Sequence, residues 1–559
     1  MPKKGNGDSF VIAMRKFFSK IEHLLDTTFE QKVGILSWLL GFSGIIALRI
    51  FIDFFLASKA LPIPLIIIEY VHNFLFFSIS IIFIWLILSF FLTVNPQKLS
   101  KLLFWSLWGI LLPPLVDMLK TGGEVFWSFY VIGGPKFLIS QYLTFLSDLP
   151  SGIVYFGTKV LFMLAVIFSG LVVYLKTKNW WRTIFSSLLV YLVLFVMGAA
   201  PSLISFGYYF FDKTKRVSEL QPYQIVQLFA FPTPIFGVIF DNLEYSFPYN
   251  LQLVLFPFLL MALGCLFFAS DRLKFMALVK NFRLPQIIYH AGLFFVGLGL
   301  AAWIYRSNFS LNLFSIFAAF DLLFCVILAW AASVVPNDLA DTQVDSISNP
   351  HRPLQQEIIS RELYSEIGWV LFFLSIFGAL LVNVKFAALL LVYQFLAFTY
   401  SAWPYRLKRF IFVASFVSAC ASLIIFFSGF ALVSGDQNIQ GLPWRVIFLL
   451  LFCYTVSLPI KDFKDIAGDA RDGVRTVPVV FGEEKGRIIV ASGFFISFIL
   501  SVFLLNEKRL FWWALLFGSL AFIIMTNKKI HPRKVFWWIL AVVSLYGMIL
   551  VKVAFELTF

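Results

Sequence analysis

Fifteen stretches of predominantly apolar residues run through the 559-residue chain, and nothing else in it limits the possible folds so strongly. Crossing a bilayer takes about 20 such residues in a helix. Six stretches precede a basic segment at 271–285, near 34–56, 66–94, 102–119, 153–175, 183–211 and 249–270. Nine follow it, near 286–305, 309–335, 364–382, 385–402, 409–431, 444–460, 488–505, 510–526 and 534–556. A shorter run at 223–240, interrupted by Phe-Pro-Thr-Pro at 231–234, reads as a re-entrant or interfacial piece. Lipid offers no hydrogen bonds to the backbone, so segments of this length span as helices. The expected fold class is therefore an all-α polytopic membrane protein. Only 13% of the residues are charged, too few to cover a water-facing surface. Soluble enzymes, disordered chains and disulfide scaffolds are excluded on that ground. Cys265, Cys325, Cys420 and Cys453 lie far apart within apolar runs, which fits core packing and neither a zinc site nor a disulfide framework. Residues 1–32 lack a short apolar stretch with a small-residue cleavage site, so no removable signal peptide is expected.

The net charge of +14 does not point to nucleic acid, because basic cytoplasmic loops are what the positive-inside rule requires of a polytopic protein. With the 271–285 segment on the cytoplasmic side, alternation of the nine later spans puts 19 Lys and Arg there and 6 on the opposite side. Basic residues at 3–32, 98–101 and 176–182 fit the same orientation for the first six spans, while Lys213, Lys215 and Arg216 run against it.

The scarce acids gather in two of the cytoplasmic loops. One carries Asn337, Asp338, Asp341 and Asp345, followed by Asn349, His351, Arg352 and Pro353. The other carries Lys461, Asp462, Lys464, Asp465, Asp469, Arg471 and Arg475. In both, the aspartates are spaced i, i+3, i+7, which in an α-helix aligns three carboxylates on one stripe. Like charges so placed repel by a few tenths of a kcal/mol per pair, and two facing stripes repel further unless a cation lies between them. Such oxygen ligands suit Mg²⁺, which takes one or two carboxylates together with substrate phosphate oxygens. The adjacent Arg and Lys residues complete a clamp for a diphosphate. The plainer alternative is a pair of solvated acidic loops neutralised by their basic neighbours. Recurrence of one spacing on one side of the membrane weighs against it. A Ca²⁺ loop of the EF-hand kind is excluded, since no Glu stands at the twelfth position counted from Asp338 or Asp462.

Asn-Asp-x-x-Asp-x-x-x-Asp over 337–345, followed by Asn-x-x-Arg-Pro over 349–353, resembles the first motif of the UbiA-type intramembrane prenyltransferase superfamily. Lys-Asp-x-x-Asp-x-x-Gly-Asp over 461–469, followed by Gly-Val-Arg-Thr-Val-Pro-Val-Val-Phe-Gly over 473–482, resembles its second. The intervening Tyr400-Ser-Ala-Trp-Pro404-Tyr-Arg406-Leu-Lys408-Arg409 is similar to the family's Tyr-Ser loop, and Arg283-Leu-Pro285 also fits. The resemblance covers about 275–559. It implies a nine-helix bundle with a cavity open to lipid and a polyprenyl diphosphate held head-first at the two motifs. Carried over by position, Asp338, Asp341 and Asp345 with Asn337 would hold one Mg²⁺. Asp465 and Asp469, with Asp462 as a further carboxylate, would hold a second. Arg352, Lys408, Arg475 and Tyr400 would contact the substrate, with Asp338, Asp341, Asp465 and Asp469 as the catalytic acids. The implied chemistry is ionisation of the donor to an allylic cation, capture by a hydrophobic aromatic or lipid acceptor, and release of pyrophosphate. Leu-Gln-Gln-Glu-Ile-Ile-Ser over 354–360 departs from the small residues of many members, which bears on the acceptor more than on the donor. Members that transfer phosphoribose carry a Lys-rich continuation after the first motif, and it is lacking here.

The expected organisation is a cytoplasmic segment 1–33, an accessory membrane domain of about six helices over 34–270, a basic cytoplasmic linker 271–285 and the UbiA-like domain 286–559, in a membrane of prokaryotic plasma-membrane type. A carrier or flippase-like role, a partner-binding platform, and a wall shaping lipid access are all open for 34–270. Glu69 and His72 lack the second Glu-x-x-His of a di-iron site and read as a polar pair facing a neighbouring helix or the interface. Asp53 is expected to pair with Arg49 four residues earlier. Asp117 and Asp321 read as solvated acids near span ends, and Asp321, about 24 Å along a helix from Asn337, is too far away to join the metal. His290 lies deeper in its span and reads either as a core histidine or as an acceptor-side group. His351 lies where it could touch phosphate, and His23 and His531 read as exposed.

Overall fold

The computed structural model describes residues 6–57, 63–121, 130–144, 156–230, 235–236, 243–281, 283–434, 437–471 and 473–554. These are helical almost throughout, and fifteen helical stretches among them are long and apolar enough to cross a membrane, six before residue 271 and nine after residue 283. The count and the placement agree with the apolar runs. Contacts divide the chain into one compact unit of 1–233 and 239–275 and another of 234–238 and 276–559.

In the first unit, apolar runs do not always become single helices. The run at 183–211 yields Trp180–Gly198 and Ala200–Asp212, separated at Ala199, where φ is −98° and Pro201 opens the second helix. Proline is suited to a first helical turn because it has no N–H to leave unpaired there, so the expected single span is two helices. Pro96–Lys120 alternates between 3₁₀ and α geometry in four pieces. Of the run at 223–240, Pro222–Ala230 is a helix, whereas the Phe-Pro-Thr-Pro segment lies outside the described residues. Arg49 pairs with Asp53 at 3.7 Å and donates to the Ile110 carbonyl at 2.7 Å. His72 shares a 2.8 Å hydrogen bond with Tyr130, and Asn73 donates to the Glu69 carbonyl at 2.9 Å. Of these, the Arg49–Ile110 hydrogen bond joins two helical elements, and His72–Tyr130 joins a helix to the segment before residue 135. The basic segment expected as a linker includes a helix, Arg272–Asn281.

In the second unit the nine long helices are α1 (Leu284–Ile304), α2 (Leu313–Ala340), α3 (Arg361–Val382), α4 (Val384–Ser401), α5 (Val413–Val433), α6 (Trp444–Ser457), α7 (Glu483–Leu504), α8 (Phe511–Thr526) and α9 (Pro532–Ala554). Most pack in chain order, α2 on α3, α3 on α4, α4 on α5, and so on to α9. The exception is α1, whose main partner is α5. Small residues make that crossing possible. A Cβ on Gly297 would lie 2.1 Å from the Phe426 carbonyl oxygen, and one on Gly429 would lie 1.9 Å from that of Phe294. Glycine at both points lets the two backbones touch, as is common between helices in lipid.

Asp321 does not lie in a solvated end of α2. It is fully buried, and neither carboxylate oxygen has a hydrogen-bond partner among the described residues. Of the cysteines, Cys325 is buried, Cys420 and Cys453 are half-buried and Cys265 is exposed.

Candidate active site

Both acidic motifs stand at the ends of spans, and both are built around a break. Helix α2 stops at Ala340; Asp341, with φ −98° and ψ 19°, is followed by the short helix Thr342–Ser348. Near the end of α2 the Leu339 carbonyl is satisfied from outside the helix, accepting from Thr342 at 3.0 Å and from Arg361 at 3.1 Å, the kind of partner a terminal carbonyl needs. In the second motif Leu458–Lys464 is 3₁₀, Asp465 lies between elements, and Asp469 belongs to the short helix Ile466–Arg471. The expected continuous stripe of three carboxylates therefore does not form in either motif. The middle aspartate of each, Asp341 or Asp465, sits at the joint instead. Aspartate is a poor helix former, and at these joints its carboxylate is free to turn toward side chains that a straight helix would not face.

The two motifs meet, with Thr342–Ser348 packed against Ile466–Arg471. Each is anchored from below by apolar side chains. Val335, Leu339 and Tyr364 hold the first, and Ile460, Phe463 and Ile466 fix the second into the core of α7, α8 and α9.

Within the first motif the carboxylates do not converge on one point. Asp338 is buried and accepts from Arg283 at 2.6 Å, from Arg352 at 3.0 Å and from the Tyr364 hydroxyl at 3.0 Å. Asp345 is buried against the same Arg352 and accepts from Asn349 at 3.0 Å. Burial pushes the Asp345 carboxyl up despite that guanidinium. Asp341 turns the other way, to Lys408 and to Arg406 at 3.2 Å. Lys408 also donates to Asn337 at 3.4 Å, and Ser401 donates to the same Asn337 oxygen at 3.1 Å. The buried Lys408 ammonium thus occupies a seat made of side-chain oxygens. Arg406 reaches Asp341 from a left-handed backbone, φ 42° and ψ 53°, a conformation that non-glycine residues rarely adopt and that concentrates at functional sites.

The second motif has the opposite character. Burial and then its neighbours Asp462, Asp465 and Asp341 push the Asp469 carboxyl up to about 8. Four acids from the two motifs therefore bear on one another, with Asp469 holding a proton at neutral pH. Lys461 donates to the Tyr400 hydroxyl at 3.3 Å and lies over its ring. Arg475 is exposed, and its backbone N–H donates to the Arg409 carbonyl at 3.3 Å, which ties the second motif to the Tyr400 loop.

Among the described residues no three His, Cys, Asp or Glu side chains enclose a metal position by themselves. The donor set nevertheless suits Mg²⁺, which commonly takes only one or two carboxylates and fills its octahedron with water and phosphate oxygens. The oxygen seat that Lys408 fills, and the mutual repulsion around Asp469, are what a hard cation would relieve.

The motifs supplied every aspartate, but not their partners Arg283, Arg406 and Tyr364. Arg283 and Arg406 stand inside the family-like segments without an assigned contact. Nothing in the sequence marks Tyr364, whose role depends on α3 packing against α2. His351 and His531 are exposed, as is His23.

Residues 292–540 match the UbiA prenyltransferase family, and residues 1–291 fall outside the match. The chain is 32% identical over 182 residues to a digeranylgeranylglyceryl phosphate synthase of Pyrococcus horikoshii, covering 32% of this chain and 63% of that protein. It is 29% identical over 201 residues to a chloroplastic 2-acyl-4-prenylphloroglucinol 6-prenyltransferase of Humulus lupulus, covering 33% of this chain and 48% of that protein. The chain thus spans less than two thirds of the length of either relative. Among solved structures, a UbiA homolog from Archaeoglobus fulgidus bound to GPP and Mg²⁺ aligns with a TM-score of 0.39 at 21% identity, over 48% of this chain and 98% of that one.

Proposed function

The C-terminal part of this chain is of the UbiA prenyltransferase type, and from that premise we propose that it transfers a polyprenyl group from a polyprenyl diphosphate to a hydrophobic aromatic or lipid acceptor within the membrane. The observation that carries this reading is the meeting of two aspartate motifs, each at the end of a span, with Arg283, Arg352, Arg406, Lys408 and Lys461 gathered around them. Mg²⁺ bound there with the diphosphate, as two ions shared between the motifs, would neutralise the charge that develops on the leaving group. Asp338, Asp341, Asp345 and Asn337 supply oxygens on one side, and Asp462, Asp465 and Asp469 on the other. Arg352, Lys408 and Arg406, which neutralise the carboxylates here, would serve as donors to phosphate with Mg²⁺ on those carboxylates. Arg475 and Tyr400 complete the contacts on the diphosphate from the loop side. The apolar walls below keep water from the cation left on the donor. The excess of Lys and Arg in the loops that carry the motifs supports a cytoplasmic position for both.

Membranes containing the protein, supplied with Mg²⁺, a labelled polyprenyl diphosphate and lipid extract, are expected to release pyrophosphate and form a prenylated product. Asp338→Ala, Asp465→Ala or EDTA should each abolish product. Persistence of transfer in both variants, or in EDTA, would sink the assignment.

A further inference from the structure

Two helical turns below the acidic motifs lies a second polar cluster. Helix α1 carries Arg283 at its start, Gln286 and then His290, at i, i+3 and i+7, so all three share one face. Trp330 lies seven residues before Asn337 on α2, and Tyr393 seven before Tyr400 on α4. Each of the three helices thus descends by about 10 Å from a residue at the diphosphate site to a residue of this cluster. His290, Trp330 and Tyr393 are all buried. The His290 ring lies 5.8 Å from that of Trp330 and 6.2 Å from that of Tyr393, centroid to centroid.

The hydrogen bonds fix the histidine's tautomer. Nδ1 lies 2.6 Å from the Gln286 carbonyl oxygen, which can only accept, so Nδ1 carries the proton. Nε2 is then a lone pair, 3.2 Å from the Tyr393 hydroxyl that donates to it. The side-chain oxygen of Gln286, one turn nearer the motifs, is buried with no donor among the described residues. A buried acceptor without a partner costs about 1–3 kcal/mol. An apolar helix interior gives no structural reason for an unpartnered acceptor one turn from His290.

We propose that His290 is the proton acceptor for an acceptor substrate that brings a hydroxyl group, with Gln286 and Tyr393 orienting that hydroxyl. The assignment rests on the prenyl-transfer reading above. In the step it describes, the C1–O bond of the donor breaks and its electron pair leaves with the diphosphate. The acceptor oxygen forms the new bond to C1. Its proton passes to the Tyr393 hydroxyl oxygen as the Tyr393 proton moves to Nε2 of His290. Gln286 accepts from the same hydroxyl before transfer and so selects acceptors that can donate.

The test uses the full chain in membranes, with Mg²⁺, a labelled polyprenyl diphosphate, and a panel of hydroxyl-bearing acceptors paired with their O-methyl ethers. His290→Ala is expected to lower transfer by about 10²–10⁴-fold, the range for loss of a general base, while Mg²⁺-dependent binding of the donor stays within twofold. Added imidazole should restore part of the loss. Gln286→Leu should raise KM for the acceptor about tenfold and leave that for the donor unchanged. Tyr393→Phe keeps the ring and packing, and so separates a lost hydroxyl from a damaged fold. Transfer within threefold of wild type in His290→Ala would overturn the proposal, as would transfer to the methyl ethers, or loss of donor binding in Tyr393→Phe together with His290→Ala. No pyrophosphate release by the wild-type protein with any acceptor would instead overturn the prenyl-transfer reading, and the assignment with it.

Discussion

Burial pushes up one carboxylate in each motif, Asp345 and Asp469, and this gives the site its pH dependence. With Asp469 pushed up to about 8 by burial and by Asp462, Asp465 and Asp341, the folded, metal-free protein keeps a proton that the unfolded chain surrenders near pH 4. Its stability should therefore fall as pH rises from about 4 to about 8. Bound Mg²⁺ should remove that fall, because the ion replaces the proton. At pH 6, about two units below the folded value, Mg²⁺ must expel the proton, so its apparent affinity should be about 100-fold weaker than above pH 8. Thermal melts in detergent across this range, with EDTA or with Mg²⁺, check both signs, and Asp469→Asn should flatten the EDTA curve. Arg352 poses the converse case. It is the shared partner of two buried carboxylates, Asp338 and Asp345. Arg352→Ala should cost about 3–5 kcal/mol in the absence of metal, the usual penalty for leaving buried charge unpaired, and less with Mg²⁺ present. The aspartates were legible in the sequence because repeated spacing is a local property. Arg283, 55 residues from Asp338, and Tyr364, on another helix, were not, since only the packing of α1 and α3 against α2 brings them there.

At the level of the helices, apolarity told where the spans lie and was silent about where they break. The run at 183–211 stays apolar through Ala199, and the aspartate spacing stays helical through Asp341, yet both positions are joints. Hydrophobic pattern reports burial in lipid, whereas a joint depends on where the terminal carbonyls find partners, such as Arg361 for Leu339. The crossing of α1 with α5 was equally hidden, although its geometry is strict. Gly297 and Gly429 each face a backbone carbonyl of the other helix, which cannot swing aside as a side chain can. Gly297→Ala or Gly429→Ala should therefore push the helices apart and destabilise the protein by about 1–3 kcal/mol, the range for overpacking. Because α1 carries Arg283 and His290, transfer should fall in these variants along with the melting temperature. Full activity at a lowered melting temperature would show that the crossing supports the fold alone. Alanine at Gly292 or Gly299, where an added Cβ meets nothing within 4 Å, should be neutral and serves as the control.

Viewed as one molecule, the chain does not divide cleanly in sequence. The second unit takes in residues 234–238 as well as 276–559. Phe236 is 2% exposed, its N–H donates to Ser315 at 3.3 Å, and its ring stacks on that of Phe309. The basic stretch at 271–285 marked a boundary from charge alone, and charge could not reveal that a short segment some forty residues earlier belongs on the far side of it. A fragment beginning at residue 276 would lack this aromatic plug and open a hole against α2. Phe236→Ala in the full chain reproduces that loss without the cut and should cost about 3–5 kcal/mol, as expected for a buried phenylalanine. The 276–559 fragment should lose transfer activity at a lower temperature than the full chain, by an amount close to that of Phe236→Ala. Supplying residues 1–275 as a separate polypeptide should restore it. If the fragment were instead inactive at every temperature while Phe236→Ala remained active, residues 1–275 would have a part in the reaction beyond the support that Phe236 gives. Half-lives of transfer activity at a series of temperatures, measured in membranes for the three proteins, decide between these outcomes.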